Sequence, residues 1–214
     1  SLKGLLVLKH YSIETYFATK TNLKRLIAKM THLLERDISE EAIRFVEQNI
    51  EDSLEGLYYI SLEALRNACD TDYIGKIGYK KDVFGKKVPK TKVVEKSSKQ
   101  YLLSQILPKK DSLDNFALLP TIAVSSKDIK KICKGKWFLY NYIYRANHHI
   151  QQLSEKCRKG EIPRCRSCSV GNFEDCLYTL KANYENQALY DDILEFVDWE
   201  ECSDIIERFK QLVK

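Results

Sequence analysis

Residues 39–69 read SEEAIRFVEQNIEDSLEGLYYISLEALRNAC, and this stretch decides the fold class. Side chains suited to a protein core recur in it at spacings of three and four residues, the period of one helix face. The members of this stripe are Ile43, Val46, Ile50, Leu54, Leu57, Ser61 and Leu65. Ser39 is suited to cap the helix, and Glu40 and Glu41 suit its first turn. The sequence therefore predicts one long helix that buries this stripe and ends near Cys69.

Similar patterns on both sides of this stretch predict further elements. Helices are expected at residues 22–34, 98–107, 136–159, 173–187, 191–197 and 203–213, with short ones capped by Ser12 and Ser126. Short apolar runs at residues 2–9 and 118–124 favour strands. The rings at the start of the helix at 136–159 are expected in the core rather than on a base-stacking surface.

These elements predict an α+β fold that is mostly α-helical, with a short N-terminal strand and a small β/loop insertion. We expect residues 1–214 to form a single domain. Within it, residues 71–99 form a lysine-rich insertion and residues 157–176 a cysteine knuckle. At 214 residues the chain is long enough to bury a sizeable core.

Four of the seven cysteines follow the spacing C-x7-C-x2-C-x7-C. They are Cys157, Cys165, Cys168 and Cys176. Four thiolates at tetrahedral positions are typical of a structural zinc site, because no position stays open for water or substrate. Three alternatives remain: an iron–sulfur cluster, free thiols buried as small apolar side chains, and a site in which His148 or His149 replaces a cysteine.

A second candidate site is the lysine-rich segment at residues 76–99. It holds nine lysines against Asp82 and Glu95, with Tyr79 and Phe84 between them. Such a segment can bind phosphates through charge and stack a base on a ring. The residues expected to bind nucleic acid are Lys80, Lys81, Lys86, Lys87, Lys90 and Lys92. The alternative is a solvated loop whose lysines serve solubility.

Composition limits the classes of protein that this chain could represent. Charged residues make up 30% of it and the net charge is +5, which permits an acidic partner without requiring one. No run of eighteen apolar residues or signal peptide is present in the sequence, and the seven cysteines favour a reducing, cytoplasmic location. Because the chain begins with Ser1, we expect a fragment of a longer protein.

The usual catalytic motifs are absent from the sequence. It contains no G-x-x-x-x-G-K-[ST] phosphate loop, no G-x-S-x-G elbow and no H-E-x-x-H pair. Carboxylates are plentiful but scattered along predicted helices. His10 and Glu14 are four residues apart, and structural roles are the simpler explanation for both. The sequence therefore identifies no catalytic residue and leaves open whether the chain is an enzyme.

The segment Tyr11-Ser-Ile-Glu14-Thr-Tyr16 resembles a phrase in uncharacterised bacterial proteins with a toprim-like core, related to OLD-type nucleases. In that family Asn occupies the position of Thr15. A second phrase, Ile132-Cys-Lys-Gly135-Lys-Trp137, is similar to one that opens a late helix in the family. The resemblance implies that the metal-binding D-x-D carboxylates precede Ser1, and that Glu14 either contributes to the site or starts a helix.

The resemblance and the two candidate sites together give the expected function. We expect a helical C-terminal domain that is stabilised by structural zinc and supports a toprim-like, nucleic-acid-processing bacterial protein. The expected partners are DNA or RNA and the missing N-terminal part of the same protein. We expect no membrane association. The alternative is a structural or protein-interaction module that binds no nucleic acid.

Overall fold

A computed structural model describes residues 12–51, 54–66, 107–117, 126–163 and 176–213. The α-helices in these ranges are α1 (Lys20–Thr31), α2 (Glu40–Glu51), α3 (Leu54–Arg66), α4 (Lys110–Ala117), α5 (Ser126–Ile132), α6 (Gly135–Ile150), α7 (Leu153–Lys159), α8 (Asn186–Leu194) and α9 (Ser203–Val213). Short 3-10 helices cover Ile13–Phe17, Glu35–Asp37 and Leu107–Lys109.

The expected α+β fold is wrong, because the regular structure of the described ranges is helical and includes no strand. The predicted zinc knuckle is likewise not part of the described architecture, since no metal-binding group of three His, Cys, Asp or Glu side chains forms there. The strand predictions rested on short apolar runs, which periodicity alone cannot tell from buried helix. Those runs, at 2–9 and 118–124, and the insertion at 71–99 lie outside the described residues.

Helix α6 lies at the centre of the described structure. It contacts α1, α2, α5, α8 and the 3-10 helix at Ile13–Phe17. Trp137, Phe138 and Leu139 are consecutive and all buried, so the helix has no single polar face over its first turns. The prediction that the rings near its start belong to the core is confirmed for Trp137, Phe138 and Tyr142.

The stripe at residues 43–65 packs into the core across two helices. The first five apolar members, Ile43, Val46, Ile50, Leu54 and Leu57, are buried, and so is Ser61. Only Leu65, at 36% exposure, departs from the prediction. The described parts of the stripe's helix are α2 and α3, and residues 52 and 53 between them lie outside the described ranges. Ser39 caps α2 as expected, since its Oγ accepts a 3.1 Å hydrogen bond from the Ala42 N–H.

Two other helix predictions are wrong in part. The helix predicted over residues 136–159 is interrupted at Gln151 and Gln152, where the backbone bond from the Gln152 N–H goes to the His149 carbonyl at 3.1 Å. The helix predicted over residues 173–187 is not helical from 176 to 185. There the N–H groups of Lys181 and Ala182 donate to the Met30 carbonyl at 3.0 and 3.3 Å, which satisfies a free carbonyl at the end of α1.

The last helix matches its prediction at both ends, since α9 covers Ser203–Val213.

A buried carboxylate connects α3 to the segment before α4. Glu63 is 2% exposed, and its two oxygens lie 2.6 Å from Lys109 Nζ and 2.7 Å from Arg66 Nη2. Among the helices that the structure describes, none has the length and apolar character needed to cross a membrane.

Replacing Leu54 by alanine should lower the free energy of unfolding by about 2–5 kcal/mol, because the change leaves a cavity beside α3. Leu54 is 1% exposed. The measurement is reversible urea denaturation followed by circular dichroism. Leu34, at 57% exposure, is the matched control, and Leu34→Ala should change stability by less than about 0.5 kcal/mol. Equal effects of the two substitutions would contradict the assigned packing.

Candidate functional site

Two of the four clustered cysteines lie in the described structure, and both are buried. Cys157 is in the last turn of α7 at 0% exposure, and Cys176 is at 5%. Both belong to the same core cluster. Helix α7 ends at Gly160, whose φ of +74° is a left-handed conformation that glycine adopts without strain. Cys165 and Cys168 lie outside the described residues, so the four-thiolate site stays a prediction.

The alternative that a histidine replaces one of the cysteines gains no support from the described structure. His148 and His149 pack edge to face, with ring centroids 4.9 Å apart, and both contact Gln152. Neither joins Cys157 and Cys176 in a metal-binding group of three among the described residues. Burial and the neighbouring His148 lower the pKa of His149, which favours its neutral form. The pair therefore forms part of the α6–α7 turn.

The lysines expected to bind nucleic acid all lie outside the described residues, as does His10. Lys80, Lys81, Lys86, Lys87, Lys90 and Lys92 therefore stay predictions. The sequence adds one fact about their charge. Nine lysines and two acidic residues give residues 76–99 a net charge of +7, whereas the whole chain carries +5. The remainder of the chain therefore carries −2 in total, although residues 127–136 hold a second, smaller group of five lysines.

The two phrases that carry the family resemblance lie against each other. The 3-10 helix that follows Ser12 packs on α6, and Gly135 is the first residue of that helix. A Cβ at Gly135 would lie 2.3 Å from Ser12 Oγ and 2.7 Å from Glu14 Oε2. The Glu14 carboxylate thus lies at the N-terminus of α6, where the helix dipole favours a negative charge.

Gly135→Ala should destabilise the protein, because the new Cβ would also lie 2.7 Å from Ser12 Cβ, which cannot move without its backbone. We expect a loss of about 1–3 kcal/mol, the usual cost of overpacking. Adding Ser12→Gly should recover part of that loss, and a double-mutant cycle in urea measures the coupling. Additive effects of the two substitutions would show that Ser12 and Gly135 are not in contact.

A cleft of about 330 Å³ opens between α1, α2 and α6. We call it the α1–α2–α6 cleft. Its lining residues are Ala18, Thr19, Lys20, Arg44, Glu47, Gln48, Ile50, Glu51, Phe138 and Tyr142. Phe138 and Tyr142 are almost completely buried and form part of the cleft's apolar wall. The Tyr142 hydroxyl donates a 2.8 Å hydrogen bond to the Thr19 carbonyl, which holds α6 against the start of α1.

Charges of both signs surround the α1–α2–α6 cleft. Lys20 forms an ion pair with Glu40. Glu47 is half-buried, and burial is the main reason that its pKa lies above the usual value for a glutamate. Nearby Lys20 and Arg44 lower the pKa of Glu47, whereas Glu40 and Glu51 raise it. A partly desolvated carboxyl group in a cleft is a feature of binding and catalytic sites.

The C-terminal part of the chain exposes several large apolar side chains. Phe196, Val197, Trp199 and Phe209 are between 36% and 68% exposed. Trp199, at 68%, is the most exposed of them. Helix α9 is amphipathic, and its contact with the N-terminal part includes a 3.4 Å hydrogen bond from the Tyr16 hydroxyl to Asp204. Exposed aromatic side chains of this size are common in protein–protein contacts.

Sequence reasoning missed the cleft and the exposed C-terminal side chains. A signal for one wall of the cleft exists in the sequence, since Arg44, Glu47, Gln48 and Glu51 share one face of α2 by helical spacing. The opposite walls come from residues 18–20 and 138–142, which are distant in sequence. Comparison with protein-family models, with curated proteins and with solved structures found no match to this chain.

Proposed function

We propose that this chain is a helical accessory domain of a nucleic-acid-processing protein related to the toprim-like family. The observation that carries the proposal is the contact of Ser12 and Glu14 with Gly135. The two short phrases shared with that family are more than 120 residues apart in sequence and adjacent in space. A functional or structural constraint on this junction would explain why both phrases occur together. The domain's own role is to support the processing core and to hold nucleic acid beside it.

The lysine-rich segment is the part of the chain proposed to contact nucleic acid. Its net charge of +7 contrasts with a total of −2 for the remaining residues, so this segment would attract phosphates most strongly. Phosphate contacts provide affinity without sequence preference. The expected partner is therefore DNA or RNA bound through its backbone.

Neutralising Lys80, Lys81, Lys86 and Lys87 to glutamine should weaken nucleic-acid binding and flatten its dependence on salt, because fewer counterions are released. The measurement is fluorescence anisotropy with a labelled duplex and a labelled single strand at two salt concentrations. The matched control replaces four exposed lysines of the described structure, Lys131, Lys136, Lys181 and Lys210. Equal weakening by both variants would contradict the assignment, and no binding by the unchanged protein at low salt would overturn the proposed function.

We further propose that Cys157, Cys165, Cys168 and Cys176 bind one structural zinc ion. The support is their spacing, with Cys157 and Cys176 on either side of the segment that holds the other two. Elemental analysis of the purified protein should find about one zinc per chain. Cys168→Ser should remove it, whereas Cys202→Ser, outside the cluster, should not. A zinc-free protein with freely titratable thiols would show the prediction to be wrong.

A protein-interaction module is the second candidate function. The exposure of Trp199 and Phe209 favours it, since aromatic side chains are enriched in protein–protein interfaces. If the protein binds neither duplex nor single strand at low salt, this candidate takes the place of the first.

A further inference from the structure

The α1–α2–α6 cleft carries two opposite charges that attract each other but do not form an ion pair. Arg44 and Glu47 are three residues apart on α2, and both line the cleft. Side chains at this spacing are close enough to interact. Even so, neither side chain forms an ion pair within 4.0 Å or a hydrogen bond with any residue that the structure describes. Lys20, which could have paired with Glu47, pairs with Glu40 instead.

Glu47 in particular has no close hydrogen-bond donor among the described residues, and it interacts with Lys20 and Arg44 only through longer-range charge attraction. Its side chain is half-buried against the cleft, and burial raises the pKa of its carboxyl group. A partly desolvated carboxylate without a close donor is unfavourable. Groups of this kind are enriched at binding and catalytic sites. A cationic group that enters the cleft from solvent would therefore stabilise Glu47.

The rest of the cleft is suited to an apolar group. Phe138, Tyr142 and Ile50 line its floor and are 1%, 7% and 3% exposed. The Tyr142 hydroxyl is already committed to the Thr19 carbonyl at 2.8 Å. A ligand group that packs on this surface can therefore be a hydrocarbon or a ring.

We propose that the α1–α2–α6 cleft binds a free α-amino acid with an apolar side chain. Its ammonium group would pair with Glu47, its carboxylate with Arg44, and its side chain would pack against Phe138 and Tyr142. An α-amino acid carries its two charges on one carbon, which matches two side chains one helical turn apart. In a nucleotide or a peptide the opposite charges lie much farther apart. A cavity of about 330 Å³ has room for an aromatic amino acid.

The test is isothermal titration of the protein with L-leucine, L-phenylalanine and L-methionine, each alongside its N-acetyl and amide derivative. At least one free amino acid should bind at millimolar concentration or below. Each derivative lacks one of the two charges and should bind about tenfold more weakly or worse, because a charged hydrogen bond is lost.

Two substitutions connect this binding to the two unpaired side chains. Glu47→Gln and Arg44→Gln should each weaken binding about tenfold or more. The matched controls, Glu41→Gln in α2 and Arg36→Gln, change charges that do not line the cleft and should bind as the unchanged protein does. These variants leave the lysines at 76–99 intact, so their outcome is independent of the nucleic-acid proposal.

The melting temperature of the Glu47→Gln variant shows whether weaker binding comes from the lost charge or from a loss of folded protein. The folded-state pKa of Glu47 lies above its unfolded value, so the ionised carboxylate favours unfolding as pH rises through this window. At neutral pH and without ligand, the glutamine variant should therefore melt at a higher temperature than the unchanged protein. Failure of all three amino acids to bind at millimolar concentration, or equal binding of parent compounds and derivatives, would overturn the proposal.

Discussion

The burial of most of α6 is the constraint on which the described structure depends. Ten of its sixteen residues are buried, so other elements must cover much of its surface. Helices α1, α2, α5 and α8 and the 3-10 helix at Ile13–Phe17 provide this cover. The cleft arises where the covering elements α1 and α2 meet α6 without filling the space between their polar edges.

The close approach at Gly135 sets how the covering elements meet α6. The absence of a side chain there lets Ser12 and Glu14 lie on the first turn of the helix. That contact fixes the start of the chain's described part, and Thr19 follows a few residues later as the cap of α1, its Oγ1 accepting from the Asn22 N–H at 3.1 Å. The position of the cleft is therefore tied to the same junction that carries the family resemblance.

The sequence predicted the local features and missed those created by distant contacts. The stripe from Ile43 to Leu57, the Ser39 cap and the bounds of α9 follow from residue spacing alone, and the structure confirms them. The helix predicted over residues 173–187 is not helical from 176 to 185, where the Met30 carbonyl, far away in sequence, accepts from backbone N–H groups. The sequence could not predict that Arg44 and Glu47 line a cleft together with residues of α6, because α6 is also distant in sequence.

The bonds to the Met30 carbonyl belong to a wider set of links between the two ends of the described chain. Tyr178 donates to Ser39 Oγ at 3.0 Å, Lys29 pairs with Asp192, and Tyr16 bonds to Asp204. Contacts across such sequence separations slow folding, because long loops must close before the contacts can form. During synthesis, α1 would leave the ribosome well before its C-terminal partners exist. Until residues 178–204 have been synthesised, α1 can pack only on its near neighbours such as α2, so the native packing of the N-terminal helices is completed late.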